Sequence, residues 1–198
     1  MSIDRRIIYL LLFLCLSIPL IKPIGLPLSI GKDTKNLYNY IDKLPAGSRV
    51  VISMDTSPGG WGEVMPGALA LVNHLVAKGA KIFVMGYFDA GPSLFEAAVS
   101  STALAKKTYG VDWVNLGMVR GAPLIMASIG RNIKSVFPRD YRGYSTNDAE
   151  KLPILKNITG AADFQILWAI EYQPSLDWMV WLDPAGRVPV AFGSAGIV

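Results

Sequence analysis

The chain carries one cysteine and one histidine. Cys15 stands alone inside an apolar run, so no intrachain disulfide and no cysteine-held metal can form. That absence leaves the compartment open. The single His74 excludes a zinc site built on two or three imidazoles. No G-x-S-x-G elbow and no Ser or Cys nucleophile motif accompanies it, so His74 reads as a packed or rim residue of a helix. The G-x-G-x-x-G spacing and the P-loop lysine are also missing. Basic residues number 19 against 15 acidic, a mild and unclustered excess of +4. Phosphate backbones want a basic patch or stripe, so nucleic acid is not expected as a partner.

What is abundant is apolar residue, at 52% of the chain. Part of it is the N-terminus. Arg5 and Arg6 precede Ile7 to Ile21, fifteen residues without a charge. That is short of the roughly 20 residues that a helix needs to cross a bilayer. Lys22 can snorkel and the tract resumes to Ile30, so residues 7–27 are expected to lie in a membrane. Pro19 and Pro23 are expected to kink the end of this span. A cleaved signal peptide has the same basic start and apolar middle, but SIPLIKPIG offers a poor cleavage site. A buried core helix is the third reading. The two arginines favour a single-pass chain with a cytoplasmic N-terminus and an extracytoplasmic domain.

The expected organisation is a membrane anchor over residues 1–30, a juxtamembrane helix over 31–47 and an α/β domain over 48–198. In the juxtamembrane helix Asp33 or Thr34 is the expected cap, with Leu37, Tyr38, Ile41 and Leu44 on one face. The domain opens on a βαβ unit. Arg49 to Met54 reads as a buried strand, and Asp55 to Gly62 as a Gly/Pro-rich loop. A helix then opens at Glu63, with Pro66 in its first turn and Gly79 as its left-handed cap. Lys81 to Met85 is the second strand. Ser93 to Tyr109 reads as a long helix, Asp112 to Leu116 as a strand and Leu124 to Ile133 as a shorter helix. Ser135 to Asn157 is charged and irregular, and is expected to be a surface excursion. Phe164 to Ile170 is a strand, Gln173 to Leu182 a helix, Asp183 to Gly186 a turn and Val188 to Phe192 a last strand. Alternation of this kind argues a three-layer parallel sheet of about five strands, flavodoxin-like or Rossmann-like. No helix follows the last strand in the sequence. The expectation is an open edge, a covering partner or a truncated domain.

Ligands of such sheets sit beyond the carboxyl ends of the strands. Those ends carry Asp55, Ser57, Gly59, Gly60 and Glu63, then Tyr87 and Asp89, then Arg120, then Glu171 and Tyr172. These are the candidate ligand-binding residues. The first loop stands where a phosphate-binding loop would stand. Its two acids repel phosphate, so a divalent cation on Asp55, Glu63 or Asp89 suits the charges better. The plainer reading is that Asp55 caps the loop, Glu63 favours the helix N-terminus and Asp89 caps its own turn. Arg120 can grip a carboxylate or pair inside the domain. Trp168, Trp178 and Trp181 read as core, or as an apolar surface meeting a membrane or partner.

The segments LPAGSRVVISMDTSPGGWGEVMPGALALVNHLVAKG, YGVDWVNLGMVRG and VPVAFG follow an apolar N-terminal run. In that order they resemble a group of prokaryotic membrane-anchored α/β proteins, over Leu44 to Gly193. The resemblance implies an envelope protein and carries over no catalytic residue. The expected function is therefore an accessory or ligand-sensing part of an envelope complex, with membrane-protein partners. The alternative is a metal-assisted hydrolase in which His74 or Arg120 assists a bound cation.

Overall fold

The computed structural model describes residues 4–22, 30–88, 90–121, 124–171, 182–183 and 186–194. The chain forms two compact units, Met1–Asn36 and Leu37–Val198.

The first unit holds helix α1, Arg5–Ile21, capped by Asp4, whose side chain accepts from Arg6 N–H at 3.0 Å. Pro19 lies inside it and no residue of α1 is buried. The run of leucine and isoleucine favours helix by propensity alone. Among the described residues no helix is long and apolar enough to cross a membrane. The 17 residues of α1 rise only about 26 Å at 1.5 Å each. The expected span over residues 7–27 thus receives no support from the fold, and residues 23–29 lie outside the described part. Helix α2 is Lys32–Asp42. Asp33 and Thr34 fall inside its first turn and do not cap it. The expected apolar face does form where α2 enters the second unit: Ile41 and Leu44 are buried and Leu37 packs on the same core.

The second unit is a five-stranded parallel sheet ordered β3-β2-β1-β4-β5. The strands are β1 Arg49–Asp55, β2 Lys81–Gly86, β3 Trp113–Met118, β4 Ile166–Glu171 and β5 Val190–Ser194. All five expected strands are present, displaced by at most two residues at either end. The order is Rossmann-like, with the chain reversing direction between β1 and β4, and not the flavodoxin order. Val50, Ile52 and Met54 face one apolar layer, and Val51 faces the other. Burial on both faces is what the continuous run VVISM requires.

Helix α3, Pro58–Ala77, starts five residues earlier than Glu63. Ser57 is its N-cap: Oγ accepts from Gly60 N–H at 3.2 Å, and Pro58 takes the first helical position. This cap outweighs the glycine content of the segment, because proline at that position loses no needed N–H. The expected loop thus shrinks to Thr56 and Ser57, and Pro66 lies mid-helix. Gly79 closes the helix at φ 70°, as expected.

The expected long helix over Ser93 to Tyr109 is broken. Helix α4 is Gly91–Ala98, and two 3-10 turns follow, Val99–Ser101 and Ala103–Lys106. Thr102 makes the break by donating to the Val99 carbonyl at 2.8 Å and accepting from Leu104 N–H at 3.2 Å. Hydroxyl side chains compete with helical bonding in this way. Helices α5, Leu124–Arg131, and α6, Ile133–Val136, replace the single helix expected there. Asn132 separates them by capping α6.

The largest correction concerns Ser135 to Asn157. Phe137, Leu152 and Leu155 are buried in the second apolar layer, beside Val114, Leu116 and Met126. The segment therefore completes the core and is no surface excursion. Its apolar residues are too widely and unevenly spaced to read as helix or strand. The helix expected over Gln173 to Leu182 falls almost wholly outside the described residues, as do Tyr172, Trp178 and Trp181. Trp168 is half-buried against the first layer.

The expected turn at Asp183 is present, with Gly186 N–H donating to the Asp183 carbonyl at 2.8 Å. The buried Asp183 carboxylate accepts from Arg187 N–H, the Arg187 guanidinium and Val188 N–H at 2.6–3.0 Å. The guanidinium first, then the two backbone donors, hold its carboxyl below the ordinary 3.8. A lowered folded value contributes stability above the unfolded pKa, and that stability is lost as pH falls through the folded value. Thermal melts of the wild type are expected to lose stability as pH drops below about 4. Asp183→Asn should lower the melting temperature at pH 7 and flatten that acid slope. An unchanged slope would contradict the assignment.

Candidate functional site

The sequence candidates gather at the carboxyl edge of the sheet, yet most serve its construction. Asp55 ends β1 and is buried. Its Oδ1 accepts from Tyr87 N–H at 2.8 Å and Phe88 N–H at 3.3 Å, and its Oδ2 accepts from the Ser53 hydroxyl. The carboxylate thus pins the turn after β2 to the end of β1. Glu171, also buried, stands beside Asp55 in the β1–β4 register, at the point where the sheet order reverses. Two neighbouring carboxylates there can share a proton or flank a cation.

The other candidates do not converge on that pair. Ser57 and Gly60 form the α3 cap. Gly59 and Glu63 are exposed on the first turns of α3. The Tyr87 ring packs on the second apolar layer. Arg120 is exposed beyond β3 and makes no ion pair among the described residues. Asp89 and Tyr172 lie outside the described residues. Among those described, no three His, Cys, Asp or Glu side chains come together to hold a metal.

His74 is half-buried and stacks on Tyr38 with ring centroids 4.5 Å apart. Its Nε2 lies 3.6 Å from Asp42. The Lys78 ammonium, hydrogen-bonded to the same carboxylate, holds Asp42 below the ordinary carboxylate range, with His74 adding less. This is a rim histidine that docks α2 on α3, as the sequence suggested.

A concave site does form, at the carboxyl end of β3. Its volume is about 590 Å³, within the range of small-molecule pockets. Leu116, Gly117 and Met118 form one wall and the segment from Val136 to Asn147 forms the other. A buried polar network supports it. Tyr109 donates to Asp140 Oδ2 at 2.7 Å, and Tyr144 N–H donates to Asp140 Oδ1 at 2.7 Å. Burial, then the Asp140 carboxylate, hold the Tyr109 hydroxyl far above the ordinary phenol value, so it remains a donor. Asn115, fully buried, donates to Glu96 Oε2 at 2.9 Å and accepts from Gly117 N–H at 3.0 Å. Arg142 closes the network, pairing with Glu96 at 2.8 Å over the Tyr109 ring.

Sequence reasoning missed this cavity because it took the second wall for solvent-exposed loop. The available signal was Asp140 followed by Tyr144, an acid set to accept from a backbone N–H of its own turn. Comparison with protein-family models, curated proteins and solved structures returns no match to this chain. The family resemblance therefore stays a likeness of pattern, and function must be argued from the site.

Proposed function

We propose that this chain is a membrane-anchored α/β domain that serves as an accessory or ligand-sensing part of an envelope complex. Its N-terminus is cytoplasmic and its domain extracytoplasmic. The observation that carries the reading is α1. From Ile7 to Ile21 its large apolar side chains are 41–85% exposed, and none is buried. A continuous apolar surface of this kind marks a membrane or protein contact. Lys22 at its end can snorkel, and the sequence from Pro23 to Ser29 carries no charge to stop a longer insertion. The sensing half of the proposal is supported by the cavity at β3, whose walls carry no Ser–His or Cys–His pair.

The test is the size of the native particle. The full chain is extracted from membranes in mild detergent, sized, and its companions identified. Stoichiometric integral-membrane companions are the expected result. A lone protomer would overturn the accessory role.

A further inference from the structure

We propose that the cavity at the carboxyl end of β3 binds a small organic carboxylate with an apolar body, held by Arg139. It rests on the ligand-sensing reading above and gives that site its ligand class.

Charge decides the class. Two charged side chains line the cavity, Arg139 and Asp140. Asp140 is 6% exposed, and its two oxygens already accept from the Tyr109 hydroxyl and Tyr144 N–H. Arg139 is exposed and makes no ion pair among the described residues. One guanidinium nitrogen donates to the Gly143 carbonyl at 2.9 Å, which fixes the side chain against its own turn. A guanidinium has five donors, so the fork retains the geometry for a carboxylate. Ser145 bridges to Arg139 across that turn. Its hydroxyl accepts from Asn147 N–H at 3.3 Å, which leaves its own hydrogen to donate.

The remaining wall decides the body. Met118, Val119, Val136, Phe137 and Pro138 are apolar and close on the side away from that turn in sequence. An unbranched methionine accommodates varied shapes, so a branched or aromatic body is received without one strict outline. A phosphate or a polyanion fits this wall poorly, because a single unpaired cation faces it.

The test uses the full chain in neutral detergent with 13C-labelled methionine methyl groups. The probe is 4-methylpentanoate, compared with its uncharged amide. Met118 lines the cavity, and Met65 on α3 serves as a remote control. The expected result is a saturable shift of the Met118 methyl with the carboxylate, a still Met65, and binding of the amide at least tenfold weaker. Arg139→Gln should weaken carboxylate binding at least tenfold, with the buried Met126 methyl unmoved as a report on the fold. A still Met118 at about 10 mM probe, where even a Kd near 1 mM would saturate, overturns the proposal. Equal binding of acid and amide by the wild type overturns it too, whether or not the variant folds. The readout is independent of the membrane. A chain that leaves the membrane yet shows this selectivity rejects the anchor and keeps the site.

Discussion

Gly91→Val should prevent the domain from folding. A β-carbon at Gly91 would overlap the carbonyl oxygen of Met54 and stand 2.6 Å from its carbonyl carbon. The N-terminal end of α4 rests directly on the last turn of β1 backbone, and a sheet strand paired on both sides cannot yield. Overpacking a tight interior costs about 1–3 kcal/mol where side chains can shift. Here the obstacle is main chain, so the loss should exceed about 4 kcal/mol, a large share of a typical domain's stability. Gly67→Ala is the matched control. Gly67 is exposed in the middle of α3, with nothing within 4 Å of a built β-carbon. That change should stabilise by about 0.5–1 kcal/mol, because alanine restricts the unfolded chain and favours helix. Denaturant melts of the two variants should therefore move in opposite directions. A soluble Gly91→Val protein with the wild-type midpoint would disprove the packing of α4 on β1.

Asp55→Ala should be the most damaging single change among the candidate residues. It removes the acceptor of Tyr87 N–H, Phe88 N–H and the Ser53 hydroxyl in a buried place. A buried donor left without its acceptor costs about 1–3 kcal/mol. Three such donors make a loss of about 3–5 kcal/mol, allowing for water reaching the half-buried turn. Ser53→Ala removes one of these bonds and should cost about 1 kcal/mol. Glu63→Ala, on the exposed face of α3, should stay within about 0.5 kcal/mol of wild type. Measured melts that rank Glu63 above Asp55 would restore Asp55 as a ligand group carried at little structural cost.

This contrast also marks how far the sequence could be read. The strands were legible because VVISM, KIFVMG and FQILWAI are apolar runs that only a doubly covered sheet buries. The cap at Gly79 was legible because a lysine and a glycine closed a periodic stripe. Pro58-Gly59-Gly60 misled, because glycine suggests loop and the Ser57 cap with its following proline decides otherwise. The break at Thr102 depends on a hydroxyl bonding two neighbouring backbone groups, which composition does not reveal. Asp55 drew attention as a possible cation ligand. Its true setting depends on Tyr87 and Phe88, more than 30 residues away, whose N–H groups say nothing in a sequence. The cavity depends on Phe137, Asp140 and Tyr144 returning to β3, a long-range closure with no periodic signature.

The most direct test of the account is alkaline carbonate extraction of membranes that carry the full chain. Carbonate strips proteins held by charge or by a partner and leaves those inserted in lipid. The account predicts that the chain stays with the membrane pellet, and that a version lacking residues 1–30 moves to the supernatant. Release of the full chain by carbonate would contradict it, and the exposed apolar face of α1 would then have to meet protein instead.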